Sequence, residues 1–397
     1  MSQPLIIVGA GLAGWTTARE FRKLDTTTPV LLVTADSGDF YAKPSLSNAF
    51  AQGRLPAQLV STPAAKMAET LNVSLLAHTR VEAIDAAAQT LNVRSAGGLQ
   101  TLAYRDLVLA TGAQPIRVPV QGDAAGEVVS INSLDDFAAF HARLQAIAQA
   151  PDAQQRQVLI MGAGLIGCEF ANDLAQAGVR VRVVDPGPRA LAALLPPEAS
   201  AALQAALEAL GVHFDFGCTV RAVDHAADRL QVTLATGELV PADAVLSAVG
   251  LRADTALAQA AGLQVDRAIV VNTYLQTSAA HIYALGDSAQ YASAPSLLSA
   301  HGSTLPYVMP IMSAARALAA TLAGTPTALA FGLMPVSVKT PALPLVVATA
   351  QAGLAGSWSA ASVGIWHWLD DAGQPRGFVL SGAQTAQRMA QAKLLTA

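Results

Sequence analysis

Cysteine and histidine are scarce in this sequence, and their spacing excludes two kinds of site. The 397 residues include two cysteines, Cys168 and Cys218, and seven histidines. The cysteines lie far apart and form no CxxC or CxxxxC pair, so a catalytic dithiol is excluded. The histidines show no spacing typical of metal ligands, and no metal site is predicted.

Charged residues are also few, and neither sign dominates. They make up 13% of the chain, and the formal net charge is -4. An average protein has about 25% charged residues, so long disordered segments should be scarce here. The slightly negative balance argues against nucleic acid as a partner, because nucleic-acid-binding surfaces are basic. The composition therefore favours compact domains, and this length suggests two or three of them.

The sequence lacks a leader and a clear membrane span. MSQPLIIVGAG runs directly into a predicted strand without a basic and apolar leader, so we expect a cytoplasmic protein. Residues 341–369 carry no formal charge and could span a bilayer by length alone. Proline, glycine and serine interrupt this segment, and its LPLVV and GIWHW runs favour buried strands joined by turns. We therefore predict no membrane span.

A glycine-rich turn, GAGLAG, opens the chain at residues 9–14. It lies between a predicted strand at 5–8 and a predicted helix at 12–23, and a second strand follows at 30–33. The first glycine allows a sharp turn, the second allows backbone to approach a pyrophosphate, and the third allows the helix to pack on the sheet. The helix N-terminus then favours the phosphate charge. This order of elements predicts a dinucleotide site.

The same pattern recurs at GAGLIG, residues 162–167. We predict a strand at 157–161, a helix at 168–177 and a strand at 179–184, so the chain should hold two dinucleotides. Cys168 lies at this helix start, where its thiol pKa could be lowered. The favoured alternative is that Cys168 is a small apolar residue in the core.

An acidic residue lies at or just past the end of the second strand of each unit, where it can accept hydrogen bonds from an adenosine ribose. These residues are Asp36 and Asp185, although Asp36 could also be a turn former. A carboxylate at 185 repels the extra phosphate of NADPH and favours NADH. Arg180, Arg182 and Arg189 lie nearby and keep NADPH open as an alternative.

The remaining pattern predicts the fold class: α/β, with two Rossmann-like dinucleotide-binding domains and a smaller C-terminal α+β domain. A three-stranded excursion is predicted within residues 74–109, and Asp287 ends a buried strand before a helix at about 305–322. The triplets at 110–112 and 248–250 mark crossings between the halves. We predict a discontinuous first domain at 1–114 and 251–325, a second at 115–250, and a partner-docking cap at 326–397.

Eight motifs appear in an order typical of one protein family. They are GAGLAG, the acid Asp36, DFYAKPSLS, LATGAQP, GAGLIGCEFA, SAVGLR, TSAAHIYALGD and VKTPALPL. The whole chain resembles the two-dinucleotide flavoprotein reductases of the pyridine nucleotide-disulfide oxidoreductase superfamily. Within them it is most similar to the branch of rubredoxin, ferredoxin and flavorubredoxin reductases, which lack the redox disulfide.

This resemblance implies FAD on the first domain and NADH as cosubstrate on the second. The implied FAD residues are Gly9, Gly11, Leu12, Ala13, Gly14, Asp36, Lys43, Pro44, Val81, Ala110, Thr111, Gly112, Asp287 and Val308. The implied NAD residues are Gly162, Gly164, Leu165, Ile166, Gly167, Asp185, Val249 and Gly250.

Three residues are candidates for catalytic roles: Lys43, Glu169 and Lys339. A lysine near the flavin would stabilise the anionic reduced ring, but Lys43 could also be a solvated surface residue. Lys339 is its rival, and many similar ferredoxin reductases have a lysine where this chain has Asn48. The resemblance places Glu169 at the carboxamide end of the nicotinamide, whereas a helix-start glutamate favoured by the dipole is the alternative.

The resemblance also implies that hydride enters from NADH and single electrons leave to rubredoxin, since no cysteine pair intervenes. Alkane hydroxylation or an oxidative-stress chain would lie downstream. A ferredoxin or flavorubredoxin acceptor, and a flavin-bound signalling protein that oxidises NADH slowly, remain alternatives. Rubredoxins are typically acidic, so Lys43, Lys339 and Arg316 are expected in a basic docking patch. Monomer and homodimer both remain open.

Overall fold

The computed structural model describes residues 3–148, 156–292, 294, 301–351 and 353–396. Its first segment forms a parallel sheet and an antiparallel excursion. The elements are β1 (Leu5–Val8), α1 (Leu12–Arg22), β2 (Val30–Val33), α2 (Ala64–Leu71), β3 (Ser74–Leu76), β4 (Arg80–Asp85), β5 (Thr90–Ser95), β6 (Gly98–Ala103), β7 (Asp106–Leu109) and β8 (Ala113–Pro115). Strands β4, β5 and β6 form the three-stranded antiparallel sheet that the sequence predicts.

The middle segment repeats the parallel arrangement. Its elements are β9 (Val128–Val129), α3 (Leu134–Ala148), β10 (Gln157–Met161), α4 (Leu165–Gln176), β11 (Arg180–Asp185), α5 (Pro197–Glu208), β12 (His213–Phe216), β13 (Val220–Ala226), β14 (Arg229–Leu234), β15 (Leu239–Ala242), β16 (Ala244–Ser247) and β17 (Leu251–Ala253). The helix after the second glycine turn begins at Leu165, three residues before the predicted start, because helical geometry resumes directly after Gly164.

The last segment completes the first sheet and adds a third layer. Its elements are α6 (Ala256–Ala260), β18 (Ile269–Val271), β19 (Ile282–Ala284), β20 (Ala289–Tyr291), α7 (Val308–Leu322), β21 (Val336–Val338), β22 (Leu345–Ala348), β23 (Ser357–Ser362), β24 (Ile365–Leu369), β25 (Pro375–Ser381) and α8 (Arg388–Thr396). The uncharged segment at 341–369 forms β22, β23 and β24, as predicted. Within the described residues, no helix combines the length and apolar character needed to cross a membrane.

Both parallel sheets have the same plan. The first has the order β19-β7-β1-β2-β3 and the second β12-β11-β10-β16-β9. In each, the strand that leads into a glycine turn is central, and β1 is buried at all four residues. Such strands are apolar throughout because helices or loops cover both sheet faces. The two glycine turns therefore follow the carboxyl ends of β1 and β10. In such parallel sheets, ligands bind at the carboxyl ends of the strands.

The connections between the two parallel sheets pair with each other. β8 leaves the first sheet, β17 returns from the second, and they pair antiparallel with Ala113 opposite Ala253. The third layer is an antiparallel sheet of order β21-β22-β25-β24-β23, against which α8 lies. This is the predicted α/β class with a C-terminal α+β unit. The boundaries at 114, 250 and 325 stay predictions.

Candidate functional site

A cavity of about 1890 Å³ lies between the first sheet, the second sheet and the C-terminal sheet. Most residues predicted to bind FAD line it: Gly9, Gly11, Leu12, Ala13, Asp36, Lys43, Pro44, Val81, Ala110, Thr111, Gly112, Asp287 and Val308. From the second motif it includes Leu165, Ile166 and Glu169, and from the C-terminal part Lys339. Gly14, Gly162, Gly164, Gly167, Asp185, Val249 and Gly250 lie outside its lining.

Two glycines of the first turn are required by packing, and the third leaves open space. A Cβ on Gly9 would lie 2.3 Å from the carbonyl oxygen of Ala110, and one on Gly14 would lie 1.9 Å from that of Gly9. Gly11 faces open space, with no atom within 4 Å of an added Cβ. Gly9 and Gly14 are thus required by packing, whereas Gly11 leaves room for a ligand.

The second turn has the same geometry. A Cβ on Gly162 would lie 2.7 Å from the carbonyl oxygen of Ala248, and one on Gly167 would lie 1.9 Å from that of Gly162. Gly164 again faces open space. The triplet 248–250 therefore packs against this turn as the triplet 110–112 packs against the first. Residues 249 and 250 stay predicted NAD residues.

The two acidic residues both accept hydrogen bonds from nearby backbone. Oδ1 of Asp36 accepts from Thr34 Oγ1 at 2.6 Å and from the backbone N–H of Gly38 at 3.0 Å. The two oxygens of Asp185 accept from the N–H groups of Ala163 and Gly187, each at 2.6 Å. Asp185 is thereby held against the second glycine turn.

Two of the nearby arginines, Arg180 and Arg182, are not placed to bind the extra phosphate of NADPH, whereas the buried Nε of Arg189 has no hydrogen-bond partner among the described residues. Arg182 is paired with Asp215 and Glu238, and the pairing raises its pKa. Arg189 donates to the carbonyl oxygens of Ala192 and Leu195. Arg180 begins β11 and Asp185 ends it, so about 17 Å of strand separates them. These placements favour NADH.

Replacing Asp185 by asparagine should reduce the preference for NADH over NADPH by at least about tenfold, because the repulsion between two anions is removed. The measurement is kcat/KM for flavin reduction by each nucleotide. Glu198→Gln, which removes an equal charge from an exposed position on α5, is the matched control and should leave the ratio unchanged. A wild-type ratio in Asp185→Asn would show that another group selects the nucleotide.

Asp287 meets the requirements for a carboxylate that binds a ligand hydroxyl. Its Oδ1 is buried and has no hydrogen-bond partner among the described residues. Burial raises the pKa of Asp287, while the charge of Lys43 opposes that rise. A buried acceptor without a donor is costly, and a hydroxyl of the cavity's ligand would satisfy it. The residues present therefore fit the ribityl chain of FAD.

Lys43 lines the same cavity, and its side chain is exposed to solvent. Its Nζ donates to Oδ1 of Asn132 at 3.2 Å, and Asn132 Nδ2 donates to the carbonyl oxygen of Ala113 at 2.8 Å. Desolvation lowers the pKa of Lys43, whereas the carboxylates of Asp287, Asp36 and Asp136 raise it. Lys43 is therefore an exposed cation that lines the cavity, and its place beside the flavin stays a prediction.

Glu169 and Lys339 form a buried ion pair together with Ser47. Glu169 is 3% exposed, and its Oε2 accepts from Lys339 Nζ and from Ser47 Oγ, the latter at 2.8 Å. Its Oε1 accepts from the backbone N–H of Lys339 at 3.0 Å, and Lys339 Nζ also donates to Ser47 Oγ at 3.0 Å. The pair joins α4 to β21 and to the short 3-10 helix Lys43–Asn48. Both lysine candidates thus line one cavity, in different settings.

Sequence reasoning missed two further buried polar residues on α4, Asn172 and Asp173, which are each 1% exposed. Asn172 Oδ1 accepts from the N–H of Ala342 at 3.0 Å. The oxygens of Asp173 accept from the N–H groups of Phe50 and Ala51. The available signal was their spacing: positions 169, 172 and 173 share one face of an otherwise apolar helix.

Cys168 is a core residue, so the suggestion of a reactive thiol is wrong. It is fully buried, and its Sγ lies 3.3 Å from the carbonyl oxygen of Ala163. Burial raises the pKa of its thiol to about 12, which outweighs its place near a helix start. Within the described ranges, no group of three or more histidine, cysteine, aspartate or glutamate side chains could hold a metal ion.

Because that thiol stays protonated below about pH 12, Cys168 should not react with a thiol reagent at pH 8. Cys218 is also buried and should react slowly. We expect no fast titration in the folded protein and two thiols after denaturation. Cys168→Ala tests the point separately, since it should leave flavin reduction unchanged. Fast labelling of Cys168 in the folded protein would contradict this prediction.

Comparisons with known proteins agree with this arrangement. Residues 3–317 match the family described as pyridine nucleotide-disulphide oxidoreductase, and residues 328–395 match the rubredoxin binding C-terminal domain. The chain is 43% identical to the rubredoxin-NAD(+) reductase of Alcanivorax borkumensis, over 99% of both chains. It is 41% identical to the protein of that name in Acinetobacter baylyi, over 99% of this chain and 98% of the relative.

Other relatives and solved structures have the same fold. The nitric oxide reductase FlRd-NAD(+) reductase of Aeromonas salmonicida is 40% identical over 90% of this chain and 87% of its own. The covalent putidaredoxin reductase-putidaredoxin complex matches with a TM-score of 0.86 and 25% identity, covering 100% of this chain and 93% of that chain. The predicted fold class and resemblance are confirmed: the chain belongs to the pyridine nucleotide-disulphide oxidoreductase family.

Proposed function

We propose that this protein is an FAD-dependent reductase that takes hydride from NADH and passes electrons singly to rubredoxin. One observation supports rubredoxin as the acceptor: the segment that matches a rubredoxin binding domain supplies part of the wall of the cofactor cavity. Met334, Ser337 and Lys339 from this segment face the same space as Gly11 and Asp287. A carrier docked on that segment would therefore sit beside the redox group.

The chain's own residues account for binding and orientation. FAD, when bound, supplies the step between a two-electron donor and a one-electron acceptor. Gly11 leaves space for its pyrophosphate, Asp36 accepts from its adenosine ribose, and Asp287 accepts from its ribityl chain. Gly164 leaves space for the pyrophosphate of NADH, and Asp185 accepts from its adenosine ribose.

Two cations stabilise negative charge in the cavity. Lys43 and Lys339 both line it, and each is held by hydrogen bonds, so neither must reorganise when the ligand becomes anionic. Lys339 is also paired with Glu169 of α4. We propose Lys339 and Glu169 as the group beside the nicotinamide and Lys43 as a cation nearer Asp287.

A turnover assay with NADH and rubredoxin tests the function. We expect the wild-type protein to reduce rubredoxin at least about tenfold faster with NADH than with NADPH. Ferredoxin and flavorubredoxin are parallel acceptors, and the latter is a specific competitor because a FlRd-NAD(+) reductase is 40% identical. A faster rate with either would replace rubredoxin as the acceptor. Slow bleaching of bound flavin by stoichiometric NADH would instead favour the signalling alternative.

The predicted docking charges stay predictions, and the structure gives them different surroundings. Lys339 is neutralised by Glu169, so it contributes little to steering an acidic partner, whereas Arg316 and Arg388 are exposed. Arg388 also lines the cavity from the C-terminal segment and was missed by sequence reasoning. We therefore propose Arg316 and Arg388 as the steering charges. A cytoplasmic location and a monomeric or dimeric state stay proposals.

Charge reversal at Arg388 should slow rubredoxin reduction at low salt by about tenfold, because steering of an acidic partner raises the association rate. At about 0.5 M salt the difference from wild type should largely disappear, since the Debye length becomes shorter than the docking distance. Stopped-flow rates for Arg388→Glu measure this. Lys66→Glu on α2 is the control. A salt-independent wild-type rate would rule out electrostatic docking.

A further inference from the structure

Three buried polar side chains project from one face of α4. Glu169, Asn172 and Asp173 are 3%, 1% and 1% exposed. Asparagine and aspartate are mostly exposed in proteins, and burying them is unfavourable unless their polar atoms are bonded. Here the three residues bind two separate stretches of chain, so the face has a specific structural task.

The two stretches held by this face lie far apart in sequence. Asp173 accepts from the N–H of Phe50 at 3.0 Å and of Ala51 at 2.9 Å, directly after the 3-10 helix that carries Ser47. Asn172 accepts from the N–H of Ala342 at 3.0 Å, three residues after Lys339. All three bonds are to backbone, so they hold the path of each stretch and leave the Ser47 and Lys339 side chains free to meet Glu169.

We propose that Asn172 and Asp173 are positioning residues, which hold the Lys339 and Ser47 segments so that the Ser47–Glu169–Lys339 cluster faces the flavin in one arrangement. The inference rests on the proposed function, because it assumes that FAD occupies the cavity. One helix thereby aligns groups from the first sheet's loop and from the C-terminal segment. Neither residue touches the cavity itself.

The experiment compares Asn172→Ala and Asp173→Ala with the wild-type holoprotein. We expect flavin bleaching by NADH to slow at least tenfold, with the KM for NADH within about twofold of wild type. The midpoint potential of the flavin should move to more negative values, as in Lys339→Ala, because a misplaced cation stabilises reduced flavin less. Asp173→Asn keeps one of the two acceptors and should give an intermediate result.

A double-mutant cycle makes the test specific. If Asn172 acts through Lys339, then Asn172→Ala should add little to the potential shift of Lys339→Ala. Additive shifts would contradict the proposal. Asp243→Asn is the matched control. Asp243 accepts the backbone N–H of Gln157 at the start of β10, at the other end of this strand from the glycine turn. Its variant should therefore lose stability without moving the flavin midpoint potential.

Hydrogen exchange provides a readout that needs no turnover. Asn172→Ala should speed amide exchange at residues 339–343 and not at 47–51, and Asp173→Ala should do the reverse. A variant that unfolds at lower urea but keeps the wild-type flavin midpoint potential, bleaching rate and local amide exchange would overturn the proposal. The residue would then have a purely structural role. If wild-type protein bleaches with NADH but does not reduce rubredoxin, the proposed acceptor fails while these measurements still test the positioning.

Discussion

Lys339→Ala should lower the free energy of unfolding by about 3 kcal/mol, since it leaves a buried carboxylate without its cation. Glu169 is 3% exposed and would keep only its bonds from Ser47 and the backbone of residue 339. The low end of the range for buried pairs applies, because the Lys339 side chain is 29% exposed. Urea unfolding of the apoprotein at neutral pH measures the loss.

A second substitution identifies the cause of that loss. In Lys339→Ala combined with Glu169→Gln, the buried charge is gone and most of the stability should return. The exposed pair of Lys66 and Glu69 offers a matched comparison, because Lys66→Ala removes a surface ion pair and should produce no measurable change. Equal stability of Lys339→Ala and wild type would show that Glu169 does not depend on the ammonium.

Gly14→Ala and Gly11→Ala should separate packing from ligand binding within one motif. An alanine Cβ at 14 would lie 1.9 Å from the carbonyl oxygen of Gly9, so α1 must shift and the apoprotein should lose about 3 kcal/mol. At 11 the Cβ meets no atom within 4 Å, so the apoprotein should keep its stability. It should nevertheless bind FAD at least about tenfold more weakly, because the methyl occupies the phosphate's approach.

Thermal unfolding without FAD and fluorescence titration with FAD make both measurements. Gly167→Ala and Gly164→Ala repeat the comparison at the second turn, with NADH as the ligand. Because Gly167 has the same 1.9 Å clash with Gly162, parallel results are expected. Full FAD affinity in Gly11→Ala would show that the pyrophosphate lies elsewhere, and a stable Gly14→Ala would show that the packing can relax.

The glycine turns and their strands were predictable because their causes are local. β1, β2 and β10 have the predicted bounds, and α1 ends one residue before its predicted end. Apolar runs, glycine spacing and a terminal acid together leave few other structures for so short a stretch. The helices α2, α3 and α5 were not predicted, since none of them follows a glycine-rich turn.

The Ser47–Glu169–Lys339 cluster depends on contacts between distant parts of the chain. The sequence suggested two rival lysines, but it contained nothing that places Lys339 against Glu169, 170 positions away. Nor could it show that Asn132 from the second unit would hold Lys43 of the first. Such pairs form only when the sheets and the C-terminal segment pack together, because burial and partner geometry are properties of the assembled fold.

Local chemistry was therefore sufficient for the two dinucleotide turns, the acids that follow them and the absence of a dithiol, since each depends on neighbours within a few dozen residues. Tertiary packing alone produced the shared cavity, the Asp287 oxygen that has no partner among the described residues, the Glu169–Lys339 pair and the buried thiol of Cys168. These arise because desolvation and charge pairing act through space and are set by whichever segments the fold brings into contact.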